Sequence, residues 1–263
     1  MAFTHASRDR VPVKIGLTGV SGSGKTYSAL RLARGLVGPS GRIAVIDTEN
    51  HSASIYASAF DFDVDDIDDY RAKVFEESIS AAVRAGYDCL IVDSASHIWE
   101  GVLSYKVKLD KTGGNSFTHW QDAGEKWKTV ISSLLHAPIH VICCFRSKSA
   151  YVLDDQDGKQ VPRKVGMAPV AREGVEYEFS IVFDIARSHL ALTDKDRTGL
   201  FLDEDPFLIT EETGRKIADW LRTAPEPAPA PKKAPAAKAP KPAEPPADPW
   251  PDWAKNTFNK KTS

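Results

Sequence analysis

The chain has 263 residues, 42% of them hydrophobic, and a formal net charge of −2. That length and apolar content support one core of about 200 residues, and the near-neutral charge excludes a global basic field, so any nucleic-acid contact must come from a local patch. Three cysteines in apolar surroundings, Cys89, Cys143 and Cys144, argue for buried reduced thiols over a disulfide framework or zinc site.

Residues 1–10 read as an N-terminal arm, without a signal-peptide h-region. A β-branched run from Val13 to Leu17 leads into Gly19-Val20-Ser21-Gly22-Ser23-Gly24-Lys25-Thr26. An amphipathic stretch follows, with Ala29, Leu30, Leu32, Ala33, Leu36 and Val37 on one side, and predicts a helix over 25–37. Strand, glycine loop and helix in that order are the setting of a phosphate-binding loop, G-x-x-x-x-G-K-[ST]. The glycines let successive N–H groups turn inward as an anion nest at a helix N-terminus. Lys25 is expected to reach the β- and γ-phosphates, and the Thr26 hydroxyl to ligate Mg²⁺. The chain is therefore expected to bind a nucleoside triphosphate.

Arg42–Asp47 is an apolar strand followed by Thr48 and Glu49. Ligands of open α/β sheets lie outside the carboxyl ends of the strands, which lets Glu49 face the γ-phosphate and act as general base. Asp47 and Thr48 could instead cap a turn over 50–59. Both readings hold together if Asp47 is structural and Glu49 chemical. Phe75, Ile79, Ala82 and Val83 at helical spacing predict a helix over 72–85, stopped by Gly86. Cys89–Asp93 reads as a buried parallel strand whose terminal carboxylate, Asp93, orients the Mg²⁺ shell.

Helices are expected at about 95–108, at about 117–136 and at 211–222. Further strands are expected at Lys14–Thr18, His140–Phe145, Glu178–Ile185 and Leu190–Thr193. The alternation predicts an α/β fold with a mostly parallel sheet flanked by helices over 11–223. No stretch of 18 apolar residues interrupts it, so the expectation is a soluble, cytoplasmic protein without membrane contact.

Two polar connections carry cations among aromatics, which suits single strands: cations follow phosphates while rings stack on bases. The first, about Lys106–Trp120, holds Lys106, Lys108, Lys111, Phe117, His119 and Trp120. The second, Ser147–Arg172, holds Lys148, Tyr151, Lys159, Arg163, Lys164 and Arg172, but also three Asp residues that would repel a backbone. Asp154-Asp155-Gln156-Asp157-Gly158 reads as a hairpin turn, since no Glu closes a calcium ligand set. Lys195 and Arg197, two apart near a strand end, share one face by period two; they are either ordinary hairpin charges or functional cations.

From Ala224 to Ala247 the chain is mostly Pro, Ala, Lys and Glu, a composition that favours an extended, disordered linker. The segment 224–263 carries seven Lys and four Asp or Glu, a net +3 that leaves the core at −5. Its end, 248–263, contains Trp250, Trp253 and Phe258 and reads either as a docking peptide or as a tail that folds back on the core.

The set Ile46-Asp47-Thr48-Glu49, Val92-Asp93-Ser94, and Tyr177 through Asp184-Ile185-Ala186-Arg187 resembles the RecA recombinase superfamily and covers most of 11–200. More narrowly, the chain looks like phage-encoded RecA-like ATPases that anneal or pair single-stranded DNA. That likeness rests on Asp93-Ser94-Ala95-Ser96-His97-Ile98-Trp99-Glu100, Arg146-Ser147-Lys148, Lys164-Val165-Gly166, and Arg172-Glu173-Gly174 through Phe179. The resemblance implies a RecA-like P-loop core using ATP and Mg²⁺, with Glu49 as catalytic carboxylate and Asp93 as the magnesium-associated one. It further implies that Lys195 and Arg197 enter a neighbouring subunit's site in a ring or filament, and that isolated subunits hydrolyse ATP weakly. The two polar connections would then be DNA loops, and the tail would recruit a single-strand-binding protein or another recombination partner. If phage-encoded, the protein would act in the host cytoplasm.

Where such proteins usually place a Gln or Asn as γ-phosphate sensor, this chain has Cys143, Cys144 and Phe145, with Arg146 the nearest polar substitute, or else a solvated or DNA-facing residue. The chain is also expected to be a minimal core, without the extra terminal domains of bacterial RecA. Phe3-Thr4-His5-Ala6 resembles the F-x-x-A peptide by which some recombinases hook onto the next protomer. Two alternatives stand beside this reading: a P-loop small-molecule or nucleotide kinase, and a nucleotide-gated assembly protein that never touches DNA.

Overall fold

A computed structural model describes residues 7–8, 11–156 and 159–222, with backbone alone for 149–156 and 159–167. The expectations for Phe3-Thr4-His5-Ala6, the 224–247 linker and the 248–263 peptide lie outside the described residues.

Strands that are buried on both faces read as unbroken apolar runs, and they build the middle of this sheet. In chain order the elements are β1 (Lys14–Gly19), α1 (Lys25–Val37), β2 (Ile43–Asp47), β3 (Asp63–Asp66), α2 (Ala72–Arg84), β4 (Cys89–Asp93), α3 (Ser96–Lys111) and α4 (Ser116–His136). There follow β5 (His140–Gln156), β6 (Lys159–Pro169), β7 (Ile181–Ile185), β8 (Leu190–Asp196), β9 (Phe207–Leu208) and α5 (Glu211–Arg222). The sheet order is β3-β2-β4-β5-β1-β7-β8-β9, with β6 paired to β5 outside that path. Pairings from β3 through β7 are parallel, while β8 and β9 return antiparallel. The α/β fold with a mostly parallel sheet is thus present.

One face packs Ile15, Leu17 and Phe183 against α1 and α5, including Leu30, Leu32 and Ile217. The other packs Ile46, Leu90, Val92 and Phe145 against α2, α3 and α4 through Phe75, Ile98, Trp127 and Val130. The α1–α5 contact is close enough to demand glycine. A Cβ on Gly35 would lie 1.9 Å from the Glu211 carbonyl oxygen, and one on Gly214 2.3 Å from that of Leu32. Arg31 then clamps Glu211 through Nε and Nη2, at 3.2 and 2.8 Å. Lys14, buried at the start of β1, donates to the carbonyls of Ala137 and Ile139, both at 2.7 Å, and ties the end of α4 to the sheet.

Several elements differ from the sequence expectation. β5 does not stop at Phe145 but runs on to Gln156 and pairs antiparallel with β6, so the second polar connection is mainly a long β-hairpin. Gln156 pairs with Lys159 across Asp157-Gly158, which lie outside the described residues. The first connection is mainly helix: α3 continues to Lys111, four residues turn the chain, and α4 begins at Ser116, capped by the Asn115 side chain accepting from Phe117 N at 2.9 Å. The strand expected from Glu178 begins only at Ile181, because Val175–Glu178 forms a 3-10 turn before it. β3, an exposed Asp-Val-Asp-Asp edge strand, was not expected at all.

Both protrusions leave the sheet at the same end. Arg146 pairs with Gly19, the last residue of β1, so residues 147–156 lie beyond the carboxyl edge. Trp99, at the start of α3, packs on Trp120 and Trp127 of α4, which puts the α3–α4 turn past that edge too. No helix among the described residues is long and apolar enough to cross a membrane.

Candidate active site

The carboxyl edge of β1 ends in the glycine loop, and its backbone explains its composition. A Cβ on Gly19 would meet Ser23 Oγ at 2.5 Å and the Ile185 carbonyl at 2.6 Å. Gly24 opens α1 in the left-handed region, φ 90°, which favours glycine. The first turn of α1 has no acidic residue and no side-chain cap, so its amides and dipole are free to meet an anion. Lys25 Nζ lies across the loop, donating to the carbonyls of Gly19 and Val20, each at 3.0 Å.

Thr26, the next residue, donates from Oγ1 to Asp93 Oδ2 at 2.5 Å, joining the helix start to the end of β4. Asp93 is 1% exposed. Burial pushes its carboxyl up to about 6, the neighbouring charges of Glu49 and Asp47 push the same way, and the Thr26 bond and Lys25 oppose them. A hydroxyl and a carboxylate are hard oxygen donors of the kind Mg²⁺ takes when phosphates and water complete its shell. Among the described residues no cluster of three or more His, Cys, Asp or Glu could hold a metal ion. Thr26 and Asp93 therefore fit a magnesium ion held jointly with nucleotide.

Asp47, fully buried at the end of β2, accepts from Glu49 N and Ala53 N, both at 2.7 Å, and so fixes the turn after the strand. Thr48 is tied to β4: its N–H donates to the Asp93 carbonyl at 2.8 Å, and its Oγ1 accepts from Ser94 N at 2.7 Å, across a cis Asp93–Ser94 peptide. His97 Nδ1 bonds the same hydroxyl at 2.6 Å, and its ring stacks on Tyr70 with centroids 4.4 Å apart. Asn50 and His51 then take positive φ, 56° and 62°, reversing the chain just past Glu49. The Glu49 carboxylate, held in this way at the carboxyl edge, accepts from Arg146 Nε at 2.9 Å.

Residues 11–206 match a family described as an AAA domain. The chain belongs to that family. It is accordingly a nucleotide-binding ATPase domain of AAA type, and no curated protein matches it.

In this AAA domain the β5 tip is apolar inside and cationic at its end. Cys143 and Cys144 are fully buried and free; burial pushes the Cys143 thiol up to about 12 and that of Cys144 well above its ordinary value. Neither thiol offers a polar contact to a ligand. Arg146 carries charge from this strand to Glu49.

Lys195 and Arg197 are not brought to the loop of their own chain. Lys195 pairs with Val182, and the Arg197 N–H donates to Ser180 O at 2.9 Å, level with the start of β1 rather than its end. Both side chains reach the Tyr177 carbonyl, Lys195 Nζ at 2.6 Å and Arg197 Nη2 at 3.2 Å.

Sequence reasoning missed two features. His189, in the β7–β8 turn with φ 68°, bonds the Ser23 carbonyl through Nδ1 at 3.0 Å and leans on Gly24. Tyr27 packs against Tyr56 and Phe60, centroids 5.5 and 5.3 Å apart, giving the AAA domain an aromatic surface beside Thr26 that suits a flat base. An aromatic directly after the loop's Thr was a visible signal for the second. Nothing in the sequence marks His189.

Proposed function

We propose that this AAA domain is a Mg²⁺-dependent ATPase that assembles into a ring or filament, binds single-stranded DNA and promotes annealing or strand pairing in phage recombination. Lys25 and the loop amides hold the phosphates, Thr26 and Asp93 orient the metal, and Glu49 takes a proton from the attacking water. Lys195 and Arg197 act on the site of the next protomer, since they sit at the wrong end of β8 for their own.

One observation carries the DNA reading. At the α3–α4 turn, beyond the edge that holds Glu49, Phe117 and Trp120 are 69% and 45% exposed, and the Lys106 ammonium, itself paired with Asp110, lies 5.0 Å from the Trp120 ring. Lys108 and Lys111 end the same helix. Exposed rings interleaved with cations suit stacked bases and a phosphate backbone.

The test is a titration of a labelled oligonucleotide with protein and a non-hydrolysable ATP analogue at low and moderate salt. Saturable binding that weakens with salt is expected, together with phosphate release that rises with oligonucleotide. Absence of saturable binding at either salt removes the recombination reading, and a phosphorylated acceptor in place of free phosphate would make the protein a kinase.

A further inference from the structure

The turn between β7 and β8 lies beside the phosphate loop. β7 pairs with β1 as far as Ile185 opposite Gly19, so Ala186 to His189, which lead into β8, are held next to the loop. Backbone bonds close this turn unaided: Ala186 N donates to Leu190 O at 2.9 Å, and His189 N to Ala186 O at 3.0 Å. The hairpin thus has no need of an imidazole. At φ 68°, His189 holds a left-handed conformation that glycine takes freely and other residues take at a cost. The residue is exposed, so burial does not keep it there. What the side chain makes is one bond across the fold, from Nδ1 to the Ser23 carbonyl at 3.0 Å. The ring leans on Gly24, where a Cβ would lie 3.1 Å from Nδ1. A carbonyl only accepts, so Nδ1 carries the proton.

We propose that His189 is a positioning residue for the anion nest, pinning the Ser23–Gly24 peptide so that the Gly24 N–H faces the phosphates. In a trans peptide the C=O and N–H point opposite ways. A carbonyl drawn toward the β7–β8 turn therefore turns the next amide into the loop. Gly24 precedes the first residue of α1, so the helix offers its N–H no partner and leaves it for an anion. The peptides on either side are fixed by other bonds. Upstream, Ser23 N donates to Val20 O at 3.2 Å; downstream, Gly24 O accepts from Ser28 N at 2.9 Å. Between them the Ser23–Gly24 peptide can turn over by changing φ at a glycine, which resists little. Lys25 does not prevent this, since its Nζ holds the carbonyls of Gly19 and Val20. His189 supplies the restraint from 166 residues away, and a strained side chain conserving no turn of its own thereby gains a use.

The inference rests on the loop binding nucleotide phosphates and makes no use of the DNA reading. Amides of such loops cradle phosphates that ATP and ADP share, so both nucleotides should respond alike. Calorimetry on the full chain with Mg²⁺ would measure dissociation constants for ADP and for a non-hydrolysable ATP analogue, alongside Tm of the nucleotide-free variants. His189→Gly relieves the left-handed strain while removing the donor: both nucleotides should weaken about 5- to 10-fold, with Tm held within about 2 °C. His189→Asn puts an amide nitrogen one bond beyond Cγ, as Nδ1 is, and tolerates the left-handed region, so it should recover most of the affinity. Affinities within about 2-fold of the unmodified chain in His189→Gly overturn the proposal. So does a loss that tracks a fall in Tm, which marks a purely structural residue, or an Asn variant no better than Gly. Failure of the unmodified chain to bind either nucleotide overturns the phosphate-loop reading itself.

Discussion

At the scale of single residues, the site is governed by how much charge is confined at one sheet edge. Asp93 is buried with Asp47 and Glu49 nearby, and its carboxyl titrates near 6 instead of its usual 3.8. A carboxyl raised in the folded state contributes stability that is complete below its unfolded pKa and is lost as pH rises through the folded one. The nucleotide-free protein therefore loses stability from this group as pH rises from about 4 to about 6. Asp93→Asn should raise Tm at pH 7.5, by a stabilisation on the order of 2 kcal/mol. It should change Tm little at pH 4. Magnesium requires the ionised form, so Mg²⁺-dependent nucleotide affinity should fall as pH drops through about 6, with proton release on binding near that pH. Calorimetry in buffers of different ionisation enthalpy measures that proton; no release would mean that the metal does not meet Asp93. Two further substitutions separate binding from chemistry. Lys25→Ala should abolish nucleotide binding, whereas Glu49→Gln should keep it and slow turnover by roughly 10²-fold or more. Retained turnover in Glu49→Gln would assign the base to another carboxylate.

At the scale of elements, what the sequence made legible was what local pattern determines. The phosphate loop follows from eight contiguous residues, and β4 from an apolar run closed by Asp93. Those signals need no tertiary partner. The elements that escaped were settled by partners distant in sequence. β3 is four exposed residues, three of them Asp, and it becomes a strand only because Ala44 to Asp47 of β2 offer it pairing. Its charges are held by Tyr87 on Asp63, Ser78 on Asp65 and His51 on Asp66. β5 was cut short because Arg146-Ser147-Lys148 ends the apolar run; pairing with β6 then supplies the bonds that burial no longer does. The same limit applies in the site, where Glu49 and Arg146 were each singled out but their contact spans 97 residues. The α1–α5 packing gives an element-scale prediction. Gly35→Ala forces a Cβ into the Glu211 carbonyl, so the two helices must part. Urea unfolding should register a loss of about 1–3 kcal/mol, with nucleotide affinity of the folded fraction unchanged. A neutral result would mean that α5 yields without cost.

At the scale of the whole molecule, β8 has two ends with different surroundings. Its first end follows His189, which touches the phosphate loop, and its last carries Lys195, with Arg197 next. The seven residues of β8, Leu190–Asp196, put roughly 20 Å between these ends along the sheet. In the assembly proposed above, a cation at the far end would serve a nucleotide only in another copy, in a head-to-tail arrangement that closes as a ring or continues as a filament. Arg197→Ala should then lower turnover of assemblies by about 10³-fold if the arginine meets the transferred phosphoryl group. Nucleotide binding by the variant should persist, because its own loop is intact. Lys25→Ala fails in the complementary way, with a good cation and an empty loop. In an equal mixture assembled at random, about a quarter of the interfaces join an intact loop to an intact Arg197, so turnover should recover to about a quarter of the unmodified level. Two inactive proteins would then produce activity that neither has alone, which a site contained within one chain does not allow. Phosphate release measured across mixing ratios decides it: a maximum near equal proportions places Arg197 in the neighbour's site, and a flat baseline returns Lys195 and Arg197 to the hairpin surface they occupy in the single chain.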